Sequence, residues 1–196
     1  MTVVETDRID MADESDELTL DTMFETLEKM PVPQGYKVEI VQGNIFMAPQ
    51  RQTHWQIILS VVNQLRAKYP PNRLASDVRI DFPGLLNGFA CDIAAMAENA
   101  APDVNGRWRY QDVEFVVEVI SKRTAANDFG PKKDAYAEAA VPVYLVANPY
   151  TGRCHLYTEP KKGEYTVDRI VAFGEDIDLT NTKVGLTLKT DDFPRD

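Results

Sequence analysis

Val113-Glu114-Phe115-Val116-Val117-Glu118-Val119-Ile120 is the stretch on which the fold turns. Asp128 to Ala140 follows it, and then Val141-Pro142-Val143-Tyr144-Leu145-Val146-Ala147. The first segment is nearly continuous apolar sequence, as expected of a central strand covered on both faces. The second has Asn127 or Asp128 available as an N-cap and Pro131 in its first turn, where a missing N–H is tolerated, so it reads as a helix. The third is another β-branched strand. Strand, helix, strand in this order predicts a crossover within a parallel or mixed sheet.

Working outward, Thr53 to Tyr69 is the clearest helix. Trp55, Ile58, Leu59, Val62 and Leu65 recur at three- and four-residue steps, one apolar stripe, and Pro70-Pro71 stop it. Before it, Tyr36 to Val41 and Ile45 to Met47 form a hairpin around Gln42-Gly43-Asn44. A short helix opens at Thr19, a candidate cap, and runs through Leu27 until Pro31 to Gly35 end it. Leu74 to Phe82 and Phe89 to Met96 read as two strands around Pro83-Gly84, and 97–112 as a polar loop. Residues 153–158 and 164–172 give a pair of strands turning at Lys162-Gly163, and 183–189 adds one more. The sum is one α/β or α+β domain over 20–196, a mixed β-sheet core flanked by helices, with an N-terminal hairpin and C-terminal strands.

The chain has 196 residues, 44% of them hydrophobic, enough for one domain with a packed core. Its net charge is −10, which excludes a histone-like binder that coats phosphates with lysine and arginine. Residues 1–19 hold seven acids (Glu5, Asp7, Asp10, Asp13, Glu14, Asp16 and Glu17) against Arg8, so six of those ten charges sit there. This segment reads as a solvated tail; a rival reading has it mimic phosphate and shield a nucleic-acid site. Cys91 and Cys154 are too few for a disulfide scaffold or a four-cysteine zinc site and suit a reducing cytoplasm. No apolar run approaches the ~20 residues of a membrane helix, and no secretory signal is visible, so a cytoplasmic location is expected.

Glu118 lies inside a central apolar strand, and Asp92 sits similarly in Phe89-Ala90-Cys91-Asp92-Ile93-Ala94. An ionised carboxylate there is costly without a partner. Two such acids in neighbouring strands point to one shared cation, and hard oxygen ligands favour Mg2+ or Mn2+ over zinc. The competing reading places both at strand ends in salt bridges. Glu39, between Val38 and Ile40, is either a third acidic ligand or an ordinary exposed strand residue. Lys132 falls early in the following helix, shares a face with Tyr136, and is placed either over the end of the Glu118 strand or in solvent. Lys133 is its neighbour, and Lys122 competes by continuing the side-chain parity of Glu118. His54 at the start of the long helix reads as a surface histidine, with capping or substrate contact as alternatives. His155 reads as structural. No Ser-His-Asp set and no glycine-rich phosphate loop stands out.

Six segments in this order resemble the Uma-two family of restriction endonucleases, a branch of the PD-(D/E)XK nuclease superfamily. They are the hairpin Tyr36 to Ile45; Met47-Ala48-Pro49 with His54; Cys91-Asp92-Ile93; Val117-Glu118-Val119-Ile120-Ser121; Asp128-Phe129-Gly130-Pro131-Lys132 with Tyr136-Ala137; and Val141 to Pro149. The resemblance implies a restriction-endonuclease-like fold over about residues 36–158 and Mg2+- or Mn2+-dependent hydrolysis of phosphodiester bonds in DNA. It implies Asp92 and Glu118 as metal-binding acids, Lys132 as catalytic lysine moved from the strand to the helix, and Glu39 as a further acidic ligand. His54 and Tyr136 would be accessory. Cys91 stands in place of the family's proline and Asn148 in place of an aspartate. A homodimer is expected by analogy with enzymes that cut two strands. The alternative is a catalytically inactive nuclease-fold protein acting as an interaction or partner module.

Overall fold

The computed structural model describes residues 18–196. The acidic tail expected over 1–19 therefore lies, up to residue 17, outside the described residues. The first helix, α1 (Leu20–Lys29), starts as its cap predicts. The Thr19 hydroxyl accepts from Thr22 N, and the Thr22 hydroxyl accepts from Thr19 N, a reciprocal capping box. Strands β1 (Tyr36–Val41) and β2 (Asn44–Pro49) pair antiparallel as the expected hairpin. Helix α2 (Gln52–Leu65) follows.

From there the chain departs from the expected pattern. The span read as one strand from Leu74 to Phe82 is two, β3 (Leu74–Ala75) and β4 (Arg79–Phe82), in different sheets. The next, Phe89 to Met96, likewise splits into β5 (Asn87–Ala90) and β6 (Ile93–Met96). Polar loop 97–112 contains a short strand, β7 (Trp108–Arg109), that runs parallel to β4. The decisive stretch behaves as read: β8 (Val113–Val119) pairs antiparallel with β6 and parallel with β9 (Val143–Asn148). Its crossover is two helices, α3 (Ala125–Phe129) and α4 (Pro131–Glu138). Pro131 cannot donate to the preceding turn, so the helix breaks at Gly130 and restarts. Asp128 is thus inside α3 and not an N-cap.

Strands β10 (Arg153–Lys161) and β11 (Glu164–Ala172) form the expected hairpin. Lys162 and Gly163 both have positive φ, the backbone that a two-residue hairpin turn demands. The final strand is shorter than 183–189; it is β13 (Thr187–Leu188), paired with β12 (Ile177–Asp178).

The strands make a mixed six-stranded sheet, β11-β10-β9-β8-β6-β3, and a five-stranded sheet, β2-β1-β5-β4-β7. The chain passes from one to the other at Cys91-Asp92. Alternation along β8 divides the core. Phe115, Val117 and Val119 pack against α2, and Val116 and Ile120 against Tyr136 and Tyr144 on the other side, joined by Val113 because the register shifts between it and Phe115. The buried face of α2 is His54, Ile57, Ile58, Val61 and Leu65, while Trp55 and Leu59 are exposed. Two overlapping apolar arcs exist on this helix, and the sheet selects the one rotated by a residue from the stripe first read. Helix α1 covers Ile40 through Met23 and Leu27. It comes so close that a Cβ at Gly88 would lie 2.5 Å from the Phe24 ring.

Candidate active site

Four carboxylates and two lysines meet where the two sheets join. Lys37 and Glu39, two apart on β1, point to one face by strand alternation. Asp92 occupies the crossing between β5 and β6. Glu118 is on β8, on the side of α4; Lys132 and Tyr136, four residues apart, share one face of α4, and Asp128 comes from α3. Asp92, Glu118 and Lys132 are each 1% exposed.

Lys132 Nζ lies 2.7 Å from Glu118 Oε1, 2.9 Å from Glu39 Oε1 and 3.3 Å from Asp128 Oδ1. The Tyr136 hydroxyl donates to the same Glu118 Oε1 at 2.7 Å, which leaves the Cys91 thiol to donate to that hydroxyl at 3.3 Å. Backbone groups fix the other acids. Val119 N donates to Asp92 Oδ2 at 2.7 Å and Ala90 N to Glu39 Oε1 at 3.0 Å. Lys37 Nζ sits 2.6 Å from Asp92 Oδ1, 3.4 Å from Glu118 Oε2 and 3.9 Å from Glu39 Oε2.

Burial would raise the Glu118 carboxyl, but the ammoniums of Lys132 and Lys37 and the hydrogen bonds from Lys132 and Tyr136 outweigh it and hold it below the ordinary range. Burial would lower both lysines, yet the surrounding carboxylates hold them well above the usual lysine value. Asp128 goes the other way. Burial, only partly offset by Lys132 and reinforced by Glu118, lifts it to about 7. Four acids against two bases would leave a buried excess of negative charge, and a proton on Asp128 relieves part of it.

A pocket opens over this cluster, lined by Lys37, Glu39, Gln50, His54, Asp92 and Glu118 among others. Lys132 lies behind the carboxylates and is not part of that wall. His54, read from sequence as a surface group, is 3% exposed. Neither Nδ1 nor Nε2 finds a hydrogen-bond partner within the protein. Burial lowers its pKa, with Asp92 opposing, so the ring is neutral near pH 7. An unpartnered buried imidazole on a pocket wall is a group waiting for a ligand atom or a water.

The acids offer the hard-oxygen donor chemistry that Mg2+ or Mn2+ takes, and Asp92 Oδ1 and Glu118 Oε2 already converge on one cation, the Lys37 ammonium. The donor set therefore fits a divalent ion. The spacing is that of an ammonium site: among the described residues no trio of His, Cys, Asp or Glu stands at metal-holding distances.

The structure thus brings Glu39, His54, Asp92, Glu118, Lys132 and Tyr136 into one cluster. It leaves the competitor Lys122 exposed and Lys133 outside, 5.7 Å from the Tyr157 ring centroid. His155 stacks edge-on against Phe129, away from the pocket. Sequence reasoning missed Lys37 as a member and read Asp128 only locally. The i, i+2 relation of Lys37 to Glu39 was the available signal.

A solved structure described as "a putative nuclease belonging to DUF820", from Anabaena variabilis, superposes with a TM-score of 0.68 at 16% identity, covering 90% of this chain and 97% of that one. The two share a fold. No curated protein is significantly similar in sequence. Residues 24–191 match the profile of the family described as "Uma2: Putative restriction endonuclease". With that match spanning both sheets and every residue of the cluster, the chain belongs to the Uma2 family.

Proposed function

We propose that this protein is a divalent-metal-dependent endonuclease that hydrolyses phosphodiester bonds in DNA. The observation that carries the reading is the convergence of Asp92 Oδ1 and Glu118 Oε2 on one cation at a pocket wall, beside a buried histidine with both nitrogens free. The family and the nuclease with the same fold support it. Asp92 and Glu118, with Glu39 as a third oxygen donor, would hold Mg2+ or Mn2+, which supplies positive charge at the phosphate and acidifies water.

The chain's own groups do the rest. Lys132, pinned beneath three carboxylates, is a positioning residue: it keeps Glu118 ionised and holds Glu118 and Glu39 in place at the pocket. Val119 N–H fixes the rotamer of Asp92, and Tyr136 that of Glu118. The neutral His54 ring has a free lone pair to accept a hydrogen bond or a proton from the attacking water, and a free N–H to donate to a phosphate oxygen. The test is cleavage of plasmid and oligonucleotide DNA with Mg2+ or Mn2+. Asp92→Asn and Glu118→Gln should each abolish it. Equal cleavage by Asp92→Ala and Glu118→Ala protein would refute the assignment. We further place the protein in the cytoplasm and as a homodimer, the latter to be checked by light scattering.

The ammonium spacing of the acids favours a second reading, a catalytically inactive nuclease-fold protein that acts as a partner module. It predicts no Mn2+ binding at millimolar concentration and no cleavage of any nucleic acid.

A further inference from the structure

We propose that Lys37 is an exchangeable resident cation of this site. Its ammonium holds the place of the divalent ion and must swing out for the ion to enter, so metal loading is a cation exchange. This rests on the nuclease reading above and adds to it how the site is kept and opened.

The argument is an oxygen-by-oxygen account. Asp92 Oδ2 is held by Val119 N–H. Glu118 Oε1 takes Lys132 and Tyr136 together. Glu39 Oε1 takes Ala90 N–H and Lys132, and Lys132 also reaches Glu39 Oε2 at 3.2 Å. Every one of these partners is backbone or a side chain locked in the core. Of the remaining oxygens, on two residues that line the pocket, Asp92 Oδ1 takes Lys37, and Glu118 Oε2 takes Lys37 together with a 3.4 Å hydrogen bond from Asp92 N–H. These are the two atoms that a divalent ion needs, at about 2.0–2.1 Å for Mg2+. An ammonium now 2.6 Å from one of them and 3.4 Å from the other would be pressed against such an ion, two positive charges at close range in a buried site.

The two lysines differ in their freedom to leave. Lys132 is 1% exposed and enclosed by three acids and the Phe89 ring. The Lys37 side chain is 10% exposed and forms part of the pocket wall. Its flexible four-carbon stem lines the same pocket as Gln50 and His54, whereas Lys132 does not line it. The resident ammonium also explains why the acids stand at ammonium distances: without some cation there, Asp92 would lose its ammonium partner and face the Glu118 carboxylate in a buried site.

Two measurements on the full chain test this. In the first, Mn2+ is titrated calorimetrically into wild-type and Lys37→Met protein. Removing the competitor should tighten binding roughly tenfold or more, because apparent affinity is scaled by the fraction of molecules with the site vacated. In the second, wild-type protein is treated with a lysine-acylating reagent and the Lys37 peptide is quantified by mass spectrometry. Saturating Mn2+ should raise Lys37 labelling several-fold and leave Lys132 unlabelled. The second measurement needs no variant and separates true displacement from simple repulsion at a distance. Mn2+ binding with unchanged Lys37 labelling, or with equal or weaker affinity in Lys37→Met, overturns the exchange while leaving the nuclease reading intact. If neither protein binds Mn2+, both fall.

Discussion

Replacing Lys132 by methionine removes the innermost cation of the cluster with little change in volume. The wild-type ammonium contacts Glu118 at 2.7 Å, Glu39 at 2.9 Å and Asp128 at 3.3 Å, and is 1% exposed. Deleting one member of a buried ion pair costs about 3–5 kcal/mol, because the partner is left charged and unsolvated. Here Lys37 stays 3.4 Å from Glu118 and Asp128 is already poised to hold a proton, so the lower end, about 3 kcal/mol, is expected. Urea unfolding followed by circular dichroism should show the midpoint fall by about 1–3 M, given slopes of about 1–3 kcal/mol/M.

The pH dependence sharpens the test. In the wild type, Glu118 is held below its unfolded value, so its stabilisation is present above that value and is lost as pH falls through the folded one. In Lys132→Met, burial is no longer fully offset and the carboxyl moves up, so its penalty shrinks as pH falls. The gap between the two proteins should narrow toward about pH 5. Adding Glu118→Gln to Lys132→Met should recover part of the loss, a coupling of roughly 2 kcal/mol. A single-variant loss below about 1 kcal/mol, the value of an exposed ion pair, would refute the buried geometry.

Asp128→Asn should stabilise the protein above neutral pH. Its carboxyl is raised to about 7, so the native state favours the protonated form and ionising it costs stability as pH rises from about 4 through 7; melting temperature against pH should flatten in the variant. Tyr136→Phe removes a hydrogen bond to an ionised carboxylate and strands the Cys91 thiol, an expected loss of about 1.5–3 kcal/mol by urea unfolding. His54→Phe should leave the melting temperature unchanged or higher, since no hydrogen bond within the protein is lost, yet abolish DNA cleavage; unchanged cleavage would remove His54 from the site. Gly88→Ala drives a methyl into Phe24 and should loosen α1 at a cost of about 1–3 kcal/mol, seen as faster amide exchange in 20–29.

Much of the architecture was legible because local chemistry states it. The apolar, β-branched run of β8 reads as a strand covered on both faces, and Lys162-Gly163 as a hairpin turn. Thr19 named the start of α1 through its own hydroxyl. Asp92 and Glu118 stood out because carboxylates in apolar strands demand compensation wherever they are found. What periodicity could not decide was which of two overlapping apolar arcs on α2 faces the sheet. Choosing the arc of Ile57 and Val61 is what carries His54 inward and strips it of water. Nor could spacing show that the chain changes sheets at Asp92, or that Gly130-Pro131 splits the crossover helix and turns Asp128 toward Lys132.

The sequence by itself thus marked two acids inside apolar strands and required a cation, metal or ammonium, to balance any that is buried. Only the tertiary structure decided which cation meets which oxygen, because that depends on four separate segments, around Lys37, Asp92, Glu118 and Lys132, meeting at one point. Lys132 is locked beneath the carboxylates, and Lys37, an unremarked residue of an ordinary strand, holds the position that faces the pocket.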